Sequence, residues 1–288
     1  MTKKGKRKKQ STKKLSDITD VEESGLLTFG GHLEVFRQML FRILAVAGAI
    51  AVVVFCLKDI TWRLLLAPSE WNFCTYRWIE EAMQAVGIDF RFEPYHVDLI
   101  ATDLSSQFMT HITTAVSLGL LGASPYILFE LFRFISPALY DNERRYSVQV
   151  AGTIYLLFIA GVLMSYFVLF PISFRFLGTY SVSAKVVSTI TLDSYVSTFT
   201  SLTLLMGVVF QLPVIAFFVG KMGFVTSDML SQYRKHAFIA IMLVSAVITP
   251  PDIMTLVLVA VPLYLLYEVS IRIVKLVAPP RIELGSTL

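Results

Sequence analysis

The chain has 288 residues, 55% of them hydrophobic and 16% charged, with a mean hydropathy of +0.67. Soluble domains carry about a quarter charged residues, so the composition argues against one. Two cysteines (Cys56 in an apolar run, Cys74 in the loop after it) make no disulfide framework. The four histidines, His32, His96, His111 and His236, never come to metal-ligand spacing. With no glycine-rich phosphate loop and no nucleophile elbow, the sequence gives no reason to expect an enzyme, a metal or a cofactor.

The formal net charge of +4 is unevenly placed, because eight lysines and arginines fall in the first 14 residues. Residues 1–30 read as a basic, disordered tail that lies against anionic headgroups. The tail has no aromatic interleaving that would suggest nucleic acid, and a polar stretch separates it from the first apolar run, unlike a secretory signal. Apolar runs then follow at about 39–57, 106–131, 148–170, 196–219, 237–249 and 253–271. A helix crossing hydrocarbon needs roughly 20 apolar residues. The reading is an all-α, polytopic membrane protein with six transmembrane helices, a single membrane domain over 31–272 and a tail over 273–288.

Orientation follows from Lys and Arg. Ten of the 25 precede or open the first run, and Arg133, Arg144, Arg145, then Lys221, Arg234, Lys235, then Arg272, Lys275, Arg281 follow runs two, four and six. The intervening segments hold four, two and none, so both termini are expected to be cytoplasmic. Pro125, Pro213 and Pro262 interrupt three runs and predict kinks. The fifth run has only about 13 apolar residues, which is short for a bilayer. The long loop from Lys58 to Asp103 carries Trp62, Trp71, Phe73, Tyr76 and Trp78, and predicts short amphipathic helices that cap the outer face.

Four stretches, in order, resemble one family. They are Gly31-His32-Leu33-Glu34-Val35-Phe36-Arg37 before run one, and Phe134-Ile135-Ser136-Pro137-Ala138-Leu139-Tyr140-Asp141-Asn142-Glu143-Arg144-Arg145 after run two. Phe210-Gln211-Leu212-Pro213 in run four and Thr249-Pro250-Pro251-Asp252 before run six complete the set. Together they resemble the TatC family of the twin-arginine protein translocase over roughly residues 30–272. The resemblance implies a receptor for signal peptides bearing two consecutive arginines. Such a receptor works with single-span TatA and TatB subunits and moves folded proteins across the membrane on the protonmotive force. A bacterial inner membrane is expected, since the Lys-rich start lacks chloroplast-transit character. Self-association is left open.

Carried over by motif, Glu143, Glu34, Phe134 and Arg144 are the expected signal-peptide contacts, and Gln211, Thr249 and Asp252 the intramembrane polar or partner contacts. Guanidinium groups pair with carboxylates through charge-assisted bonds, which suits Glu143 at a cytoplasmic interface. Its alternative is pairing with Arg144, Arg145 or Arg133. Glu34 stands one place before the family's glutamate, where this chain has Val35, a rotation of about 100° on a helix. It is either a peptide ligand or a first-turn acid facing the helix dipole. Gln211 replaces the family's glutamate and either contacts a partner or joins two helices. Asp252 is expected to N-cap run six, and Glu268 to pair with Arg272. A secondary transporter is the rival function, but it predicts inverted repeats and several mid-membrane charges, which the sequence lacks.

Overall fold

The computed structural model describes residues 29–135, 144–181, 183, 189–249 and 251–277. Helix α1 spans Phe29–Cys56 and continues through Leu57 into α2, Lys58–Leu66. After a 3₁₀ turn, α3 covers Cys74–Ala85, and α4 runs over Ser106–Ile135. Helix α5 (Arg144–Met164) passes through a π turn at Ser165–Leu169 into α6 (Phe170–Thr179). Helix α7 (Leu192–Val209) is separated by a two-residue break from α8 (Leu212–Lys221). The short α9 (Ser227–Gln232), α10 (Arg234–Ile248) and α11 (Ile253–Val277) follow. Among the described residues the helices are accompanied by one parallel pair of two-residue strands, Leu99–Ile100 beside Ile190–Thr191.

Five helical segments among the described residues are long and apolar enough to cross a bilayer: Leu33–Cys56, Ser106–Phe134, Ala151–Thr179, Leu192–Lys221 and Ile253–Val277. The fifth apolar run of the sequence is the 15-residue α10. At 1.5 Å per residue it is roughly 22 Å long, short of the roughly 30 Å hydrocarbon core. Its outward face is nonetheless apolar, with Ile239, Leu243 and Val247 exposed. So is that of α1, where Phe41, Leu44, Val52 and Val53 are more than half exposed. Exposed side chains of this kind are paired with lipid tails in a membrane protein.

Lipid tails are as apolar as leucine, so close packing rather than hydrophobic exclusion must hold such helices together. Glycines make it possible. A Cβ added at Gly119 of α4 would lie 2.7 Å from the Cα of Ala51 on α1, and one at Gly161 of α5 would lie 2.6 Å from the carbonyl of Met206 on α7. The buried hydroxyls of Ser165 and Thr203 meet at 3.1 Å between the same two helical rods.

Helix ends carry the chemistry that local sequence dictates. Gly87 closes the turn after α3 and Gly223 the turn after α8, both with positive φ (85° and 76°). In each the glycine N–H donates to the carbonyl three residues back and the next N–H to the one five back, from Ile88 to Met83 and from Phe224 to Val219. The N–H of Thr255 donates to Asp252 Oδ1 at 2.7 Å, which is the expected cap on α11.

The segment from Lys58 to Asp103 does fold into short helices, and they pack over one end of the bundle, the cap end. Pro171 has no N–H, which frees the carbonyl of Phe167. The hydroxyl of Thr75 donates to it, and Tyr76 Oη donates to the carbonyl of Pro171 at 2.8 Å. Tyr195 Oη similarly donates to Leu65 O at 2.7 Å. Arg175, an arginine at the less basic end, is enclosed: its guanidinium lies 4.5 Å from the Phe92 ring centre, 4.7 Å from Tyr95 and 5.3 Å from Tyr76. Its Nη2 donates to Glu93 O at 2.9 Å. Cation–π contact stabilises a charge that would otherwise need water. Of the five aromatics expected to lie at the interface, Tyr76 is fully buried, whereas Trp71 and Trp78 stay exposed.

Two outcomes follow for this frame. Replacing Gly119 by valine pushes α1 from α4, and we expect it to lower stability by about 1–3 kcal/mol, read as an earlier unfolding midpoint in detergent; an unchanged midpoint would mean the helices do not approach so closely. Burial raises the phenol pKa of Tyr76, helped by its bond to Tyr95, and burial also raises that of Tyr95. Unfolded tyrosine ionises near pH 10, so above that pH the folded cap holds more protons than the unfolded chain. Stability should therefore be level up to about pH 10 and fall as pH rises further, with the fall reduced in a Tyr76→Phe, Tyr95→Phe variant.

Candidate signal-peptide site and intramembrane polar groups

The end of the bundle opposite the cap, where α1 begins and α4 finishes, gathers several of the residues singled out by sequence. Helix α1 is regular from Phe29, which places Glu34 in its second turn with no acid in the first. The first-turn dipole reading of Glu34 is therefore not met. Its carboxylate is exposed and accepts from Arg37 Nη2 at 2.8 Å and from Gln38 Nε2 at 3.1 Å. Two residues on, the Phe36 ring lies 5.9 Å from that of Phe134 in the last turn of α4. The expected Phe134 and the segment bearing Glu34 thus come together across the α1–α4 contact. Glu143 lies outside the described residues, and so does the side chain of Arg144, the first residue of α5.

One turn deeper is a residue that sequence reading passed over. Glu130 of α4 is only 5% exposed, and its Oε2 accepts from Arg42 Nη2 of α1 at 3.2 Å. Its Oε1 accepts from Tyr126 Oη at 2.9 Å. The Arg42 side chain is 48% exposed, so the pair has one buried and one accessible member. The available signal was an ionisable residue inside an apolar run, with an arginine at the mouth of the neighbouring run. A buried carboxylate is tolerable only when paired and hydrogen-bonded, so this bond fixes how α1 and α4 sit against each other.

Gln211 acts as the joining residue. Where α7 breaks, its backbone N–H turns to Val208 O at 3.0 Å and leaves Gly207 O without its helical donor. Gln211 Nε2 reaches that carbonyl at 3.5 Å and donates to Ile154 O of α5 at 3.1 Å. Its Oε1 is buried with no partner. The side chain also lines a cavity of about 390 Å³ between α4, α5, α7 and α8, whose other walls are nearly all apolar, among them Leu128, Phe158, Val208 and Phe218. Thr249 turns inward and donates to Ser245 O at 2.9 Å within α10. Asp252 is taken up by its cap, although Oδ2 is buried without a partner. Glu268 pairs across helices with Arg234 of α10, at 2.7 Å, and accepts from Tyr264 Oη at 3.3 Å. The expected i,i+4 pair with Arg272 gives way because Arg234 and α11 are neighbours in space. No group of three or more His, Cys, Asp or Glu suited to a metal occurs among the described residues.

Arg42→Met would leave Glu130 buried without its counter-charge. The expected loss is about 1–2 kcal/mol, below the value for a wholly buried pair because Arg42 is half in solvent. Adding Glu130→Gln should recover most of it. Unfolding in mixed micelles measures the cycle, and strictly additive effects would show that the two residues are uncoupled.

Comparison with known proteins agrees with this architecture. Residues 31–262 match the family model described as Sec-independent protein translocase protein (TatC). The chain is 30% identical over 255 residues to a Sec-independent protein translocase protein TatC from Blattabacterium sp. subsp. Periplaneta americana, a match covering 87% of this chain and 96% of the relative. It is 36% identical over 183 residues to TatCy of Bacillus subtilis, covering 64% and 72%. A crystal structure of the twin-arginine translocase receptor TatC superposes with a TM-score of 0.68 at 28% identity, covering 85% of this chain and 99% of that one. This chain is a multi-pass membrane protein and belongs to the TatC family of Sec-independent protein translocase proteins.

Proposed function

We propose that this chain is the receptor subunit of a twin-arginine translocase and binds the paired arginines of signal peptides at the end of the bundle where α1 begins. The observation that carries the proposal is the meeting of α1 and α4 there. It sets the exposed carboxylate of Glu34 on α1 two residues from the Phe36–Phe134 contact, and Phe134 stands in the last turn of α4, the helix that leads into the Glu143-Arg144 segment. In this reading Glu143 is the principal partner of a guanidinium. Glu34 is a second one, freed from Arg37 and Gln38 as the peptide arrives. Phe134 offers an apolar wall, and Arg144 neighbours the acid it helps to place. Salt-bridged carboxylates near an interface favour arginine over lysine because of the guanidinium's fork of donors. The Arg42–Glu130 pair beneath holds α1 and α4 in register without itself meeting the peptide.

The same reading takes α10 as the sixth span, kept short behind α11, with both termini cytoplasmic in a bacterial inner membrane. The membrane domain then covers 31–272, flanked by tails at 1–30 and 273–288. Single-span TatA- and TatB-type subunits are its partners, and Gln211 with the apolar cavity beside it is a place where such a helix could lie. Thr249, bonded to Ser245 O, and Asp252, whose Oδ1 caps α11, are weaker candidates for that contact. The transport of folded proteins would draw on the protonmotive force. Nothing in the arrangement favours a small-solute transporter.

The test is binding of a labelled twin-arginine signal peptide to the protein in lipid nanodiscs, beside a peptide with two lysines. We expect preference for the arginine pair and a loss of about tenfold, 1.4 kcal/mol, in Glu143→Gln. A smaller loss is expected in Glu34→Gln. Equal binding of both peptides, or full binding in both variants, would remove the receptor site from this end of the bundle.

A further inference from the structure

At the cap end, where α1 runs into α2, lies a second cavity of about 560 Å³. Lys58 and Trp62 of α2, Gln107 and His111 of α4, and the start of α7 at Leu192 form it. That volume lies in the range of small-ligand sites. No carboxylate lines it. The ammonium of Lys58 forms no ion pair among the described residues, although Asp59 is its neighbour in sequence.

His111 adds a directed donor. Its ring is stacked on Phe55 with centres 4.3 Å apart, and Trp62 flanks it at 6.1 Å. Nε2 is sealed from solvent with no group to bond. A proton there would be a buried donor without an acceptor, so the favoured neutral tautomer carries its proton on Nδ1, the nitrogen that remains accessible. Lysine, histidine and glutamine thus line one cavity that has no carboxylate in its wall. Phe108 lines the cavity beside Gln107, and Phe55 and Ile112 lie next to His111 on α1 and α4; all three side chains are exposed.

We infer that this cavity seats the phosphate of an anionic membrane lipid. Lys58 supplies the counter-charge, His111 Nδ1–H and the Gln107 amide donate to the phosphate oxygens, and the acyl chains run down the wall of Phe55, Phe108 and Ile112. The exposed apolar wall that borders a cationic cavity is what selects a lipid over a free anion. The inference does not depend on the signal-peptide reading, which concerns the opposite end of the bundle.

Native mass spectrometry of the full chain released from detergent tests it, with phosphatidylglycerol, phosphatidylcholine and inorganic phosphate as probes. Phosphatidylglycerol should be retained in preference to phosphatidylcholine and displaced by high inorganic phosphate. Lys58→Gln should weaken it by about fivefold, the effect of one basic residue at a membrane surface. His111→Phe, which keeps the stack on Phe55 but removes the donor, should weaken it again, with the lipid-free unfolding midpoint of Lys58→Gln unchanged. Equal retention of the two lipids, or wild-type binding of phosphatidylglycerol in both variants, would overturn the site. Uptake of inorganic phosphate without phosphatidylglycerol would overturn the lipid assignment.

Discussion

Inside hydrocarbon there is no water to take up a backbone carbonyl that a helix has released, and this constraint organises the bundle. Two of its long helical rods are broken along their length, one by a π turn before Pro171 and one at Phe210–Gln211. Each break frees carbonyls, and each is answered by a side chain. Thr75 from the cap donates to Phe167 O, and Gln211 bridges Gly207 O and Ile154 O. Thus the two breaks also become the points where separate parts of the chain are tied together: the cap to the π turn, and α7–α8 to α5. An unsatisfied group at such a depth would cost several kcal/mol.

Charge obeys the same logic at both ends. Glu130 is buried and therefore paired with Arg42 and bonded to Tyr126. Arg175 is enclosed by three aromatic rings and one carbonyl. Glu268 is met by Arg234. These groups fix helix azimuth, because a buried charge tolerates far less rotation than a leucine. Glu34 is different: its carboxylate is exposed and its bonds to Arg37 and Gln38 are local and solvent-screened. An acid held so loosely can change partners, which suits recognition better than architecture.

The two ends of the bundle therefore have different characters. The cap end is rigidified by aromatic packing around Tyr76, Tyr95 and Arg175, and leaves one donor-rich hollow at Lys58 and His111. The other end joins α1 to α4 through a ring contact and one ion pair, with exposed polar groups above them. Between the ends, glycines at α1–α4 and α5–α7 let backbones touch, so the rods pack closely along their length.

Much of this was legible in the sequence. The five long apolar helices, the short fifth run, the helical cap after Lys58, the Asp252 cap and the family motifs all depend on residues near one another in the chain, where composition, periodicity and turn chemistry act directly. Gln211 could be recognised as polar and mid-span, but not which carbonyls it would reach. What only the tertiary structure decided are pairings between distant residues. Glu130 meets Arg42 across 88 positions, Thr75 meets a carbonyl 92 positions away, and Glu268 takes Arg234 in place of Arg272. Hydrophobic periodicity states which residues a helix hides, but in uniformly apolar spans it barely says which way each helix faces. That azimuth is set by the few glycines, freed carbonyls and buried charges whose partners lie on other helices.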